Sequence, residues 1–219
     1  MTGVLPKFLG KLAVLFATSL CAVSVFSAGD PEAGSTKVIV CGACHGADGN
    51  SSVPAQPNLA GQGEKYLLKQ MQDVKSGARN IVEMTGMLLA YNDQDLADIA
   101  AYYASLDAAV MGSQDIEDDA YGLSAEEFLD LGEKVFRGGN LKTGVAACTG
   151  CHSPTGAGNA PAAYPAIAGQ HPEYVIKQLK NFQNNLRTND GEGKIMRNVA
   201  APMSDLEIRA VANYLSGLN

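Results

Sequence analysis

The chain has 219 residues, 46% of them hydrophobic, and 16 basic against 23 acidic side chains give it a formal net charge of −7. That length holds one large domain or two small ones. An acidic excess without a concentrated basic face excludes nucleic acid as a partner.

Lys7 and Lys11 precede an apolar run from Leu12 to Phe26, which is shorter than the ~20 residues a membrane span needs. Val25 and Ser27 supply small side chains before a cut ahead of Ala28, so residues 1–27 read as a secretory signal peptide. Cys21 lies inside this segment, and Leu20 before it is a poor fit to a lipoprotein site. Without residues 1–27 the chain keeps four cysteines, and 14 basic against 23 acidic side chains bring the net charge to −9.

Asp30-Pro31-Glu32 starts the first helix: Asp30 caps it, Pro31 suits its first position and Glu32 complements its positive end. This helix is predicted to run to about Cys41. There the chain reads Cys41-Gly42-Ala43-Cys44-His45, and the pattern returns as Cys148-Thr149-Gly150-Cys151-His152. Cys-x-x-Cys-His is the attachment signature of c-type haem. Two thiols in one turn add to the two vinyl groups on one porphyrin edge, and the adjacent histidine supplies an axial nitrogen to the iron. Two copies in a chain with five cysteines predict two covalently bound haem c groups, held by Cys41, Cys44, Cys148 and Cys151 and ligated by His45 and His152.

Residues 46–63, rich in Gly, Pro, Asn and Ser, read as loop. A helix is predicted from Glu64, with Leu67, Met71 and Val74 on one face, ending at Gly77. After a short loop a further helix, capped by Asn92, carries Leu96, Ile99, Ala100 and Tyr103 as its apolar stripe. Residues 107–123 read as an acidic linker. Ser124 with Glu127 then forms a capping box ahead of Phe128, Leu131 and Val135.

From here the chain repeats itself. Tyr66, Lys69 and Gln70 fall on Tyr174, Lys177 and Gln178 at a constant offset. The last helices match too, Leu96 on Ile208, Ile99 on Val211 and Tyr102 on Tyr214, with Ser204 and Glu207 repeating the cap. Two copies exclude a solenoid. The sequence therefore predicts an all-α chain of two tandem cytochrome c-like domains, 28–106 and 124–219, joined by residues 107–123. Domains this small bury a limited core unaided, and each porphyrin supplies apolar interior.

The repeat also selects the second axial ligands. With three histidines in the chain, at most one iron could take a second histidine, which leaves methionine as the candidate for both. Met84 falls on Met196, whereas Met87 falls on Val199 and Met203 on Tyr91. Met84 and Met196 are the predicted iron ligands, and Met71, Met87, Met111 and Met203 are read as apolar filler. His171 is assigned a surface or capping role. Pro57 and Pro165 align after the two motif histidines, and their carbonyls are candidate acceptors for the histidine N–H; loop punctuation is the alternative.

Charge is unevenly spread. Residues 28–112 carry 10 acidic and 5 basic side chains, residues 113–124 four acidic and no basic ones, and residues 125–219 nine of each. Such a dipole either orients a partner during encounter or is plain solvated surface.

The paired motifs, the methionines before the last helices, Gly-Gln-Gly-Glu-Lys-Tyr-Leu-Leu-Lys-Gln, Glu-Met-Thr-Gly-Met and Arg-Thr-Asn-Asp-Gly resemble the di-haem cytochrome c4 family over nearly all of the mature chain. The resemblance implies two class I cytochrome c domains facing each other with haems near the interface. It implies His/Met ligation at His45, Met84, His152 and Met196. It also implies an electron carrier of the bacterial periplasm, between a quinol-oxidising complex and a membrane-bound terminal oxidase, with peripheral membrane contact. The family further suggests that Gly34 and Gly132 admit close helix approach, against Tyr102 or Tyr103 and against Tyr214. One departure is a first methionine loop, between Gly77 and Met84, that is shorter than the family pattern.

A carrier without enzymatic activity is the leading expectation. A di-haem enzyme such as a peroxidase needs an exchangeable axial site, and the paired methionines count against it. A cytochrome subunit of a flavocytochrome or other dehydrogenase leaves no motif of its own. The distance in sequence between the two cysteine pairs disfavours a four-cysteine zinc site, and the helical pattern disfavours a thioredoxin-like pair.

Overall fold

The computed structural model describes Met1, Gly3 and residues 28–219. The signal-peptide reading of residues 1–27, with Lys7, Lys11 and Cys21, otherwise lies outside the described residues. Among the described residues the fold is helical, with isolated antiparallel bridges such as Asp118 to Leu123 in place of strands.

The first half contains α1 (Pro31–Ser35), α2 (Ile39–His45), α3 (Glu64–Ser76) and α4 (Asp93–Ala104). The second contains α5 (Ala125–Gly138), α6 (Thr149–His152), α7 (Pro172–Gln183), α8 (Ile195–Ala200) and α9 (Asp205–Gly217). In each half the last helix is the hub: α1 and α3 pack on α4, and α5 and α7 pack on α9.

Local chemistry accounts for most ends. Asn92, Ser124 and Ser204 close capping boxes with Asp95, Glu127 and Glu207, each satisfying two orphan N–H groups. Gly77 ends α3 in the left-handed region at φ 82°, where glycine carries no Cβ penalty. The predicted helix from Asp30 to Cys41 is instead two helices. Ser35 Oγ donates to Glu32 O (2.7 Å) and Thr36 Oγ1 to Ala33 O (2.8 Å). These hydroxyls compete with the helical ladder, the helix stops, and the first cysteine motif lies on its own helix α2.

Two glycines bring the helices together. A Cβ on Gly34 would stand 2.1 Å from Asp98 O and 2.8 Å from Tyr102 Cβ, and one on Gly132 would stand 2.2 Å from Ala210 O and 2.8 Å from Tyr214 Cβ. The close approach is therefore backbone on backbone, and the aromatic partner in the first half is Tyr102. The penalty of a glycine inside a helix is offset by this crossing.

Each half has its own apolar core. Val38, Leu67, Ile99, Ala100 and Tyr103 form the first; Val135, Phe136, Val175, Met203, Ile208, Val211 and Leu215 are among the residues of the second. The segment 107–123 is bound along α9. Gly112 N donates to Ser216 O (2.8 Å), and Gln114 exchanges bonds with Asn213 at 2.8 and 2.9 Å. Arg209 pairs with the buried Asp118.

The halves meet at a polar seam. Gln170 Oε1 accepts from Asn58 N (2.9 Å) and its Nε2 donates to Asn58 O (3.0 Å). Across the approximate two-fold relation, Gln62 Nε2 donates to Ala166 O (2.6 Å), but among the described residues Gln62 Oε1 is buried without a partner. His171 is buried in this seam, and its Nε2 donates to Ser51 O of the other half at 2.8 Å. The surface or capping role expected of it does not hold: the ring makes no cap bond, because the seam offers it a carbonyl.

Candidate functional site

Cys41 and Cys44 lie on α2, and Cys151 lies on α6 with Cys148 at its N-cap in the right-handed helical region. Cys41 packs against the first core and Cys148 against the second. Burial pushes the Cys41 thiol above its ordinary value, partly opposed by the Tyr103 hydroxyl, and pushes Cys148 up to about 11.

The motif histidines are buried and held identically. His45 Nδ1 donates to Pro57 O at 2.9 Å, and His152 Nδ1 donates to Pro165 O at 2.9 Å. The carbonyl fixes the tautomer, so Nε2 of each ring carries the lone pair. Among the described residues no hydrogen bond uses either Nε2. Burial draws both imidazoles below the ordinary histidine value, with the proline carbonyls opposing, so both rings are neutral donors at neutral pH. Pro57 and Pro165 are therefore hydrogen-bond acceptors as well as loop punctuation.

This donor set fits a covalent haem. Two thiols in one helical turn beside an imidazole with a bare, oriented Nε2 are what attachment and axial ligation require, and the arrangement occurs twice. Apolar side chains remain exposed around the first motif, notably Ile39 and Val40 on α2.

The predicted methionines stand at corresponding places before the last helices. Met84 ends a short 3-10 turn, Val82–Met84, and Met196 lies in the first turn of α8; both are half-buried. Met203 and Met71 contribute to the cores as expected of filler. Met87 does not: it is exposed, directly after Gly86 at φ 80°. The residues that sequence reasoning missed are those of the seam, Ser51, Asn58, Arg79 and Arg187. The constant offset of the repeat, which relates Arg79 to Arg187, was the available signal for the arginine pair.

Comparison with known proteins agrees with this geometry. The Cytochrome c family model matches residues 32–107 and again 130–219. Cytochrome c4 of Azotobacter vinelandii is 50% identical over 202 residues, covering 88% of this chain and 91% of that protein. The crystal structure of reduced recombinant cytochrome c4 from Pseudomonas stutzeri superposes with a TM-score of 0.80 at 51% identity, covering 88% of this chain and all of the other. A thiosulfate dehydrogenase electron acceptor of Thiomonas intermedia is 34% identical over 206 residues, covering 94% of this chain and 88% of that protein.

Proposed function

The chain belongs to the cytochrome c4 family of di-haem electron-transfer cytochromes, and on that premise we propose that it is a periplasmic one-electron carrier between respiratory proteins. In this reading it takes electrons from a quinol-oxidising complex and delivers them to a membrane-bound terminal oxidase. Residues 28–106 and 124–219 each hold one haem c, joined by residues 107–123, and residues 1–27 direct export.

Within each half the side chains divide the work. Cys41 and Cys44, and Cys148 and Cys151, would hold the porphyrin through thioether bonds. His45 and His152 offer Nε2 to the iron, and the carbonyls of Pro57 and Pro165 hold the rings in orientation and raise their basicity. Met84 and Met196 would hold the iron through a soft thioether, a ligand that keeps the potential high. When bound, each haem supplies reversible one-electron exchange at iron. The protein keeps water and small ligands away, and no general base or nucleophile takes part.

The observation that carries this reading is the twofold occurrence of a buried histidine fixed through Nδ1 on a proline carbonyl. Iron held by both a histidine and a methionine would suit a carrier; an exchangeable position would suit an enzyme. Intact mass and the reduced absorption spectrum test the first point, and a mature protein lacking two haems overturns it. Carbon monoxide tests the second. The native protein is expected to bind it slowly and incompletely at neutral pH, and Met196→Ala to bind one equivalent rapidly at the second haem alone. Rapid binding by the native protein overturns the carrier reading.

A second reading concerns the donor. The likeness to a thiosulfate dehydrogenase electron acceptor supports electron entry from a sulfur-compound dehydrogenase. Reduction of this protein by such an enzyme, at a rate above that by a quinol-oxidising complex, would favour it.

A further inference from the structure

Tyr103 on α4 belongs to the first core, with Val38, Leu67, Ile99 and Ala100, and is 2% exposed. Gly49 lets its ring in: a Cβ there would stand 3.0 Å from Tyr103 Cδ1. The Tyr102 ring lies 5.3 Å away, centroid to centroid. The hydroxyl at the tip of Tyr103 is buried, and among the described residues no nitrogen or oxygen accepts its proton. The nearby Tyr91 differs, since its hydroxyl donates to Lys37 O at 3.0 Å. A buried O–H without an acceptor costs stability, and an aliphatic side chain would fill the core without that cost.

The second half does use an aliphatic side chain. Tyr102 falls on Tyr214, and the next position is Tyr103 in one half and Leu215 in the other. Leu215 is buried in the second core, against which Cys148 packs as Cys41 packs against the first. The first cysteine of each motif thus meets the last helix of its half, but the two meet different chemistry. Burial first, and the Cys41 thiol next, push the Tyr103 phenol above its ordinary value. The hydroxyl in turn opposes the burial that raises Cys41. These opposite signs describe an O–H aimed at sulfur, which is a weak acceptor. Cys148, raised by burial to about 11, has no phenol opposing the shift.

We propose that Tyr103 is a positioning residue that acts through Cys41: its hydroxyl directs its proton at the Cys41 sulfur and raises the potential of the first centre alone. The inference rests on the two-haem reading above. In the loaded protein Cys41 would hold the porphyrin edge through that same sulfur. A hydrogen-bond donor beside the sulfur draws electron density from the edge, and this disfavours the ferric form, which carries the additional positive charge. Hydrogen bonding next to the ligands is one of the levers by which a protein sets such a potential. Leu215 has no donor to offer Cys148, so the second centre lacks this contribution. Duplication by itself makes two equal centres. One hydroxyl makes them unequal without touching an axial ligand, and biases an electron shared between the halves towards the first.

The test uses the full haem-loaded protein with Tyr103→Phe, which removes the oxygen and keeps the ring, titrated so that the two centres are resolved. Met196→Ala, by displacing the second potential, identifies which centre is which. Tyr103→Phe is expected to shift the oxidised-to-reduced equilibrium of the first centre by about threefold towards the oxidised form. That is a fall of about 28 mV, at about 59 mV per tenfold for one electron. The second potential is expected to stay where it is. An unchanged first potential, or an equal fall in both, overturns the proposal. A lower melting temperature with both potentials unchanged makes the hydroxyl purely structural and overturns it as well. Should the phenylalanine variant fail to take up haem, Tyr103→Leu installs the residue that the second half uses. It is expected to lower the first potential alone, and an unchanged value again overturns the proposal. An intact mass with two haems and an unchanged reduced spectrum show in the same samples that the two-haem reading stands whichever way the potentials fall.

Discussion

The two halves share a frame and fill it differently. Where Gly34 crosses α4, the backbone beneath it belongs to Asp98; where Gly132 crosses α9, the same place belongs to Ala210. The second half is apolar there, with Phe128 and Phe136 almost fully buried beside the crossing. The first half places a buried carboxylate instead, which accepts from Asp30 N (2.9 Å) and Gln94 Nε2 (2.8 Å) and pairs with Lys37 Nζ at 2.6 Å. Lys37 also bridges to Asp95 at 2.7 Å. Duplication preserved the backbone crossing, which is set by sterics, and left the side chains beneath it free to become polar or apolar. The methionine loops diverge in the same way: one 3-10 turn carries Met84, whereas a helix of six residues carries Met196. Val82 and Leu89 are exposed around the first of them.

The crossing itself gives the largest expected effect. Gly132→Val forces a side chain into the carbonyl of Ala210 and should cost about 3 kcal/mol or more, seen as early melting of the second half; Gly34→Val should do the same to the first. A thermal transition unchanged by either substitution would remove the close approach from the account.

The charged support should respond to acid where the apolar one does not. Burial would raise the Asp98 carboxyl, but the Asp30 N–H and Lys37 outweigh it and hold it at about 2 against an ordinary 3.8. A depressed carboxylate contributes stability above its unfolded value that disappears as pH falls through its folded value. The first half should therefore lose about 2 kcal/mol between pH 4 and 2, while the second lacks this contribution. Asp98→Asn should lower the stability of the first half near neutral pH and flatten that acid dependence. Equal acid sensitivity in the native protein and the variant would refute the role given to Asp98.

The smallest effects lie at the seam, where the symmetry is imperfect. Gln170→Ala removes two bonds to Asn58 and strands that buried backbone, a loss of about 1–2 kcal/mol. Gln62→Ala removes one bond but also the partnerless Oε1, so its cost should be close to zero. Chemical denaturation of the two variants side by side checks the order; a larger loss from Gln62→Ala would reverse the assignment.

Local chemistry made much of this legible in advance. The caps at Asn92, Ser124 and Ser204, the stop at Gly77 and the apolar stripes of α3 and α4 depend on residues within a few positions of one another. The break between α1 and α2 was missed because helical starts at Asp30 and the motif at Cys41 invite a single helix, and the hydroxyls of Ser35 and Thr36 decide otherwise. Met87, read as apolar filler, is exposed instead. His171 was misread because its partner, Ser51 O, lies 120 positions away.

The sequence by itself determined two haem attachment motifs, a duplicated helical frame and one shared methionine in each half, since these follow from short-range chemistry and from comparing the chain with itself. Only the tertiary structure decided which carbonyls hold the histidines, which residue supports each glycine crossing, and that Arg79 and Arg187 meet in one buried seam. The reason is physical: a hydrogen bond or a buried charge is defined by what stands opposite it, and across this seam the opposing groups are about a hundred residues apart in the chain.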